Sequence, residues 1–211
     1  MPTQRDTLIS ELQSPDVAAR QAAALALIDL ADPTTRDALI TALQDDDTQV
    51  RRGAIRALSA INDDESALAI VQALPDRAAP VRRRVVSWLL KNAHRRVIVP
   101  VLLALATDDT LDLAARDYAI MALAQGDHRE AIPTINQLVQ EAPAPLQRRI
   151  LHSLMRFADA SSVPALQLAL ASEDAPTRKI AMTTLQQIGT PEALAALTTH
   201  KLATQEEDTP S

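Results

Sequence analysis

Apolar side chains along this chain recur at helical spacing, and that spacing itself recurs. With Arg20, Arg51, Arg82, Arg116, Arg148 and Arg178 as markers, successive intervals are 31, 31, 34, 32 and 30 residues, and six copies nearly fill the 211-residue chain. Three residues after each marker stand Ala23, Ala54, Val85, Ala119, Leu151 and Ala181; seven after stand Leu27, Leu58, Leu89, Leu123, Met155 and Leu185. All are apolar, and offsets of 3 and 7 lie on one face of an α-helix. Each marker therefore opens a helix whose buried stripe sets small and large residues in a fixed order.

A second apolar segment precedes each marker: Leu8-Ile9-Leu12, Leu39-Ile40-Leu43, Leu68-Ile70-Val71-Leu74, Val101-Leu102-Leu105, Ile132-Ile135-Leu138 and Val163-Leu166-Leu170. These predict the first helix of each pair. Pro100, Pro133 and Pro164 sit in the opening turns of three of them, and Pro191 opens a last short segment to Leu197. Proline is tolerated there because the first-turn N–H has no partner inside the helix. Acidic turns such as Asp45-Asp46-Asp47 divide the two helices, and Asp16, Asp47, Asp112 and Asp174, each four before a marker, are placed to cap the second helix. A two-helix unit of ~30 residues cannot bury its apolar face alone, so the units must stack. The expectation is an all-α solenoid of about six two-helix repeats in a single domain over residues 1–203. The polar stretch 204–211 has no repeat pattern and reads as a disordered tail.

Composition narrows the picture. Alanine supplies 39 positions and leucine 29, against 3 glycines and three aromatics, Trp88, Tyr118 and Phe157, which suits close-packed helices rather than sheets. The absence of cysteine removes thiolate metal sites, disulfides and a Cys nucleophile. The start lacks the basic-then-apolar order of a signal peptide, and no apolar run approaches the ~18 residues of a membrane span, so a cytoplasmic protein without membrane contact is expected.

The phrases Asp47-Thr48-Gln49-Val50-Arg51-Arg52-Gly53-Ala54-Ile55-Arg56-Ala57-Leu58 and Pro80-Val81-Arg82-Arg83-Arg84-Val85-Val86 resemble the core of HEAT repeats of the short bacterial type, over roughly Leu8 to Ile188. Copies with Ala19, Ala115, Gln147 or Thr177 before the arginine depart from the Val of the better ones. The resemblance implies a right-handed α-α superhelix whose second helices line the concave surface. The class includes phycobilin lyase subunits, deoxyhypusine hydroxylases and adaptor proteins, and fold does not choose among them. The hydroxylases carry paired His-Glu motifs for two irons; here no His is followed directly by Glu. HEAT-like DNA glycosylases use aromatic side chains in a basic cleft, and three aromatics offer little for stacking a base.

The recurrence of the marker arginines assigns them to stacking, through hydrogen bonds or acidic contacts across successive loops. His94, His128, His152 and His200 show no metal-ligand spacing and read as surface residues. Trp88 reads as a core or groove residue, and Tyr118 as the better surface candidate. No nucleophile–base pair, paired-carboxylate site or phosphate loop is present, so neither catalysis, a cofactor nor a metal is expected.

Charge is the most informative feature. Residues 75–100 hold seven basic side chains against one acidic, whereas residues 1–74 hold six against twelve and residues 101–211 eight against fourteen. Arg52, Arg83 and Arg149 follow their markers directly, with Arg84, Arg56 and Arg156 on the same helices. With Tyr118 they form the candidate protein-binding set, a broken basic ladder centred on the third and fourth repeats. The expected function is a non-enzymatic scaffold or adaptor that binds an acidic protein surface; the alternative is a phycobilin lyase subunit or related chromophore-handling protein. An overall pI near 5.2 disfavours nucleic acid.

Overall fold

The computed structural model describes residues 2–207. Among them lie thirteen α-helices and no strand: α1 (Gln4–Glu11), α2 (Val17–Leu30), α3 (Arg36–Ala42), α4 (Thr48–Ile61), α5 (Asp64–Gln72), α6 (Ala79–Asn92), α7 (Val99–Thr107), α8 (Leu113–Gln125), α9 (Ile132–Glu141), α10 (Ala144–Phe157), α11 (Val163–Leu170), α12 (Ala175–Ile188) and α13 (Pro191–Glu207). Short 3-10 turns lead into α3, α7, α9 and α11. The fold is an all-α repeat array of six helix pairs plus a last helix. That helix continues past Leu197 and Thr204 to Glu207; the rest of the expected tail, from Asp208, lies outside the described residues.

The chain divides into two compact units, one up to Val101 and one from Leu102, where the repeat pattern reads as one continuous domain. The division falls within the longest interval between markers, the 34 residues from Arg82 to Arg116. In the first unit α2 packs on α4 and α4 on α6, each of α1 and α3 packs on the helix that follows it, and α3 meets α5. In the second unit α8 packs on α10 and α10 on α12, while α9 and α11 form the other layer. Each unit is thus two layers of helices with the core between them.

The marker columns fill those cores. Ala23, Ala54, Val85, Ala119, Leu151 and Ala181 are fully buried, as are Leu27, Leu58, Leu89, Leu123 and Leu185; Met155 is half-buried. The small residues let like helices approach closely. At Gly53 the approach is extreme: a Cβ there would stand 2.8 Å from the Cβ of Ala24 on α2. The turn aspartates cap as their positions predict, with Asp16 accepting from the Ala18 N–H, Asp47 from Gln49 and Val50, Asp112 from Ala115 and Asp174 from Thr177. Several second helices end in a left-handed residue: Ala31, Asn62, Ala158 and Gly189.

Candidate functional site

The marker arginines are built into the stack. Nη1 of Arg51 donates to the carbonyls of Asp45 and Asp46 in its own turn, and its Nε and Nη2 grip both oxygens of Asp76 in the next repeat at 2.8 and 3.0 Å. Arg20 does the same with Ser14, Pro15 and Asp45. Arg82 and Arg178 repeat the backbone arm, to Asp76 and Arg77 and to Ser172 and Glu173. Arg116, nearly buried, donates to the Ala106 carbonyl, and Arg148 stands 3.9 Å from Asp174. The bidentate forks of Arg20 and Arg51 tie turn to turn, whereas Arg82 and Arg178 bond only within their own turns. Burial opposes ionisation of Asp45, yet the Arg20 guanidinium and the Asp47 N–H together hold its carboxyl below the usual range.

A second set of arginines, none of them a marker or in the expected binding set, also makes ion pairs. Arg36 pairs with Asp63 and Glu65, Arg95 with Asn62 and Asp64, and Arg129 with Asp159. This divides the basic surplus of residues 75–100. Arg77 reaches back to Asp46 in the turn between α3 and α4, Arg95 reaches Asp64 at the start of α5, and Arg82 is held by its own turn. Arg84 and Lys91 instead face a cavity.

That cavity, open and about 500 Å³, lies between α2, α4 and α6. Ile28, Arg56, Ser59, Asn62, Arg84, Ser87, Trp88, Lys91 and Asn92 line it, with no carboxylate among them. Trp88 is recessed, 8% exposed, and the Asn92 amide donates to its carbonyl oxygen at 2.9 Å. Arg84, Trp88 and Lys91 lie four and then three residues apart on α6, the spacing of one helix face. Lys91 counts in the basic surplus of residues 75–100 but is not in the binding set expected from the sequence, although it stands seven after Arg84.

The other expected binding residues fall elsewhere. Arg52 is half-buried and donates to Gln49 Oε1, and the exposed Arg83 lies outside the cavity lining. In the second unit Arg149 and Arg156 line a separate hollow of about 230 Å³ with Asp117, Met121 and His152. Arg149 stands 3.7 Å from Asp117, whose carboxyl is pushed up by burial against the pull of that guanidinium. Arg156 donates to the carbonyls of Ala124 and Gln125, completing the end of α8. Tyr118 is half-buried. One expectation is corrected: His128 is 2% exposed rather than a surface residue, because it sits at the turn where the backbone folds back, its N–H donating to the Leu123 carbonyl.

Among the described residues no group of three or more metal-ligating side chains comes together, and no helix is long and apolar enough to cross a membrane. The family profile for HEAT repeats matches residues 5–91 and 134–209. No curated protein matches this chain significantly. Similar solved structures include a designed armadillo repeat protein in complex with the peptide (KR)4, at 17% identity over 88% of this chain and 100% of that one, TM-score 0.50. The CpcE–CpcF complex of phycocyanin lyase from Nostoc aligns at 22% identity over 93% and 81%, TM-score 0.44. Human deoxyhypusine hydroxylase aligns at 23% over 100% and 80%, TM-score 0.47.

Proposed function

The chain belongs to the HEAT-repeat family, and we propose that it acts as a non-enzymatic scaffold or adaptor that binds an acidic protein surface through α2, α4 and α6. The observation that carries this reading is the gathering of Arg56, Arg84 and Lys91 around one open cavity with no carboxylate in its lining, while neighbouring arginines are committed to the stack. Uncompensated cations on a rim attract and orient an anionic partner more than they stabilise the fold. Guanidinium, ammonium, amide and hydroxyl groups bind anions well, and the lining offers no evident nucleophile with its base. Only Ile28 and Trp88 are apolar among nine lining residues, which favours a charged protein partner over the largely hydrophobic body of a chromophore.

Affinity capture followed by work with the purified partner tests the reading. The wild-type chain should hold an acidic partner whose affinity falls about tenfold on Arg84→Glu with Lys91→Glu and weakens steeply with salt. A purified partner that binds both forms equally, at low and high salt, would sink it.

A further inference from the structure

The cavity between α2, α4 and α6 changes character across its width. Along α2, Leu25 is 50% exposed and Ile28, three residues on and so on the same face, lines the cavity. Helix α4 contributes Arg56 and Ser59; α6 contributes Arg84, Ser87 and Lys91 around the recessed Trp88. The residues nine after Arg20, Arg51 and Arg82 are Asp29, Ala60 and Lys91, so that row carries its carboxylate on α2 and its ammonium on α6. An anionic ligand is therefore repelled at one edge, which offers apolar surface, and attracted at the other two helices.

A single extended strand on the partner's acidic surface suits this cavity, because Trp88 is recessed, 8% exposed. The convex face of a domain meets the rim, whereas an extended chain with projecting side chains reaches Ile28 and Trp88 as well as the cations. Helices packed side by side lie ~8–10 Å apart. A polyproline II segment advances ~3.1 Å per residue with three residues per turn, so every third side chain returns to the same face after ~9 Å. The two periods match.

We infer that this cavity takes an extended acidic segment of a partner protein, carrying one apolar and two acidic residues in that order at three-residue steps. The apolar side chain rests on Leu25 and Ile28, the first carboxylate meets Arg56, and the second sits between Arg84 and Lys91. The inference rests on the scaffold reading above and specifies the ligand of that same site.

Fluorescein-labelled synthetic peptides containing Leu-Ser-Ser-Glu-Ser-Ser-Glu, and the same order reversed in chain direction, test it by anisotropy with the full chain. One direction should bind saturably. Affinity should fall about fivefold or more when both glutamates become glutamine, when leucine becomes serine, or when the spacing is cut to two. Arg84→Glu and Lys91→Glu should each weaken binding by a similar factor, and Arg77→Glu, the same charge change outside the cavity, by less than about twofold. Thermal melts monitor the fold of each variant. Absence of saturable binding in both directions, indifference to spacing, or equal binding by Arg84→Glu overturns the inference. Failure of the scaffold reading is visible separately, because there the purified partner ignores Arg84→Glu together with Lys91→Glu whatever the peptides do.

Discussion

Ala31 and Ala158 end α2 and α10 with φ of 46°, a left-handed conformation in which a Cβ crowds the following carbonyl. Gly189 serves the same role on α12 without that cost. Ala31→Gly and Ala158→Gly should each stabilise by about 0.5–1 kcal/mol, and Gly189→Ala should destabilise by about 1 kcal/mol, all read by denaturant unfolding. The marker arginines follow a different logic. Arg51 and Asp76 are both nearly buried, so Arg51→Ala strands a carboxylate and should cost about 3–5 kcal/mol. Arg82→Ala removes hydrogen bonds to two carbonyls and should cost about 1–3 kcal/mol. Asp45 adds a pH dependence. Its carboxyl is held below the unfolded value, so its contribution is present above pH ~4 and is lost as pH falls through the folded value. Asp45→Asn should accordingly lower stability at pH 7 and flatten the acid side of the stability curve, whereas Asp117→Asn, removing a carboxyl raised by burial, should stabilise near neutrality and do nothing at low pH. A set of melts from pH 3 to 7 separates the two signs.

At the scale of helices, close approach governs. Gly53→Ala drives a Cβ against the Ala24 Cβ, which is fixed to the backbone of α2, so the helices must part. The expected loss is about 1–3 kcal/mol even though alanine is the better helix former by about 1 kcal/mol. Ala24→Gly in the same chain should recover most of it, and a double-mutant cycle in denaturant would show that coupling. The leucine column is less forgiving: Leu58→Ala or Leu123→Ala, both fully buried, should cost about 2–5 kcal/mol. Helix starts and core faces were legible in the sequence because aspartate caps and apolar periodicity are local, depending on neighbours three or four residues away. The left-handed alanines were not, since nothing in an alanine advertises the conformation that packing imposes on it.

Across the molecule, the basic surplus of residues 75–100 includes side chains bonded to the turns and others that line the cavity. Substitutions at the markers should lower stability first, whereas Arg84→Glu should weaken partner binding with little change in melting temperature; affinity at two salt concentrations set beside thermal melts distinguishes them. The repeat, its six copies and its all-α class followed from the chain alone, because a pattern that recurs every 30 or so residues samples the same local rule many times over. The contacts of Arg20 and Arg51 across successive turns were readable for the same reason, whereas Arg82 and Arg178 bond within their own turns instead. Which cations line the cavity was decided only in three dimensions. Arg95 and Lys91 are four residues apart and alike in charge, yet one is spent on Asn62 and Asp64 while the other lines the cavity. Arg156, basic and exposed like Arg56, instead closes the end of α8. A side chain's partner lies 25 to 33 residues away across these turns, and its availability depends on the packing of whole helices rather than on its own neighbours in sequence.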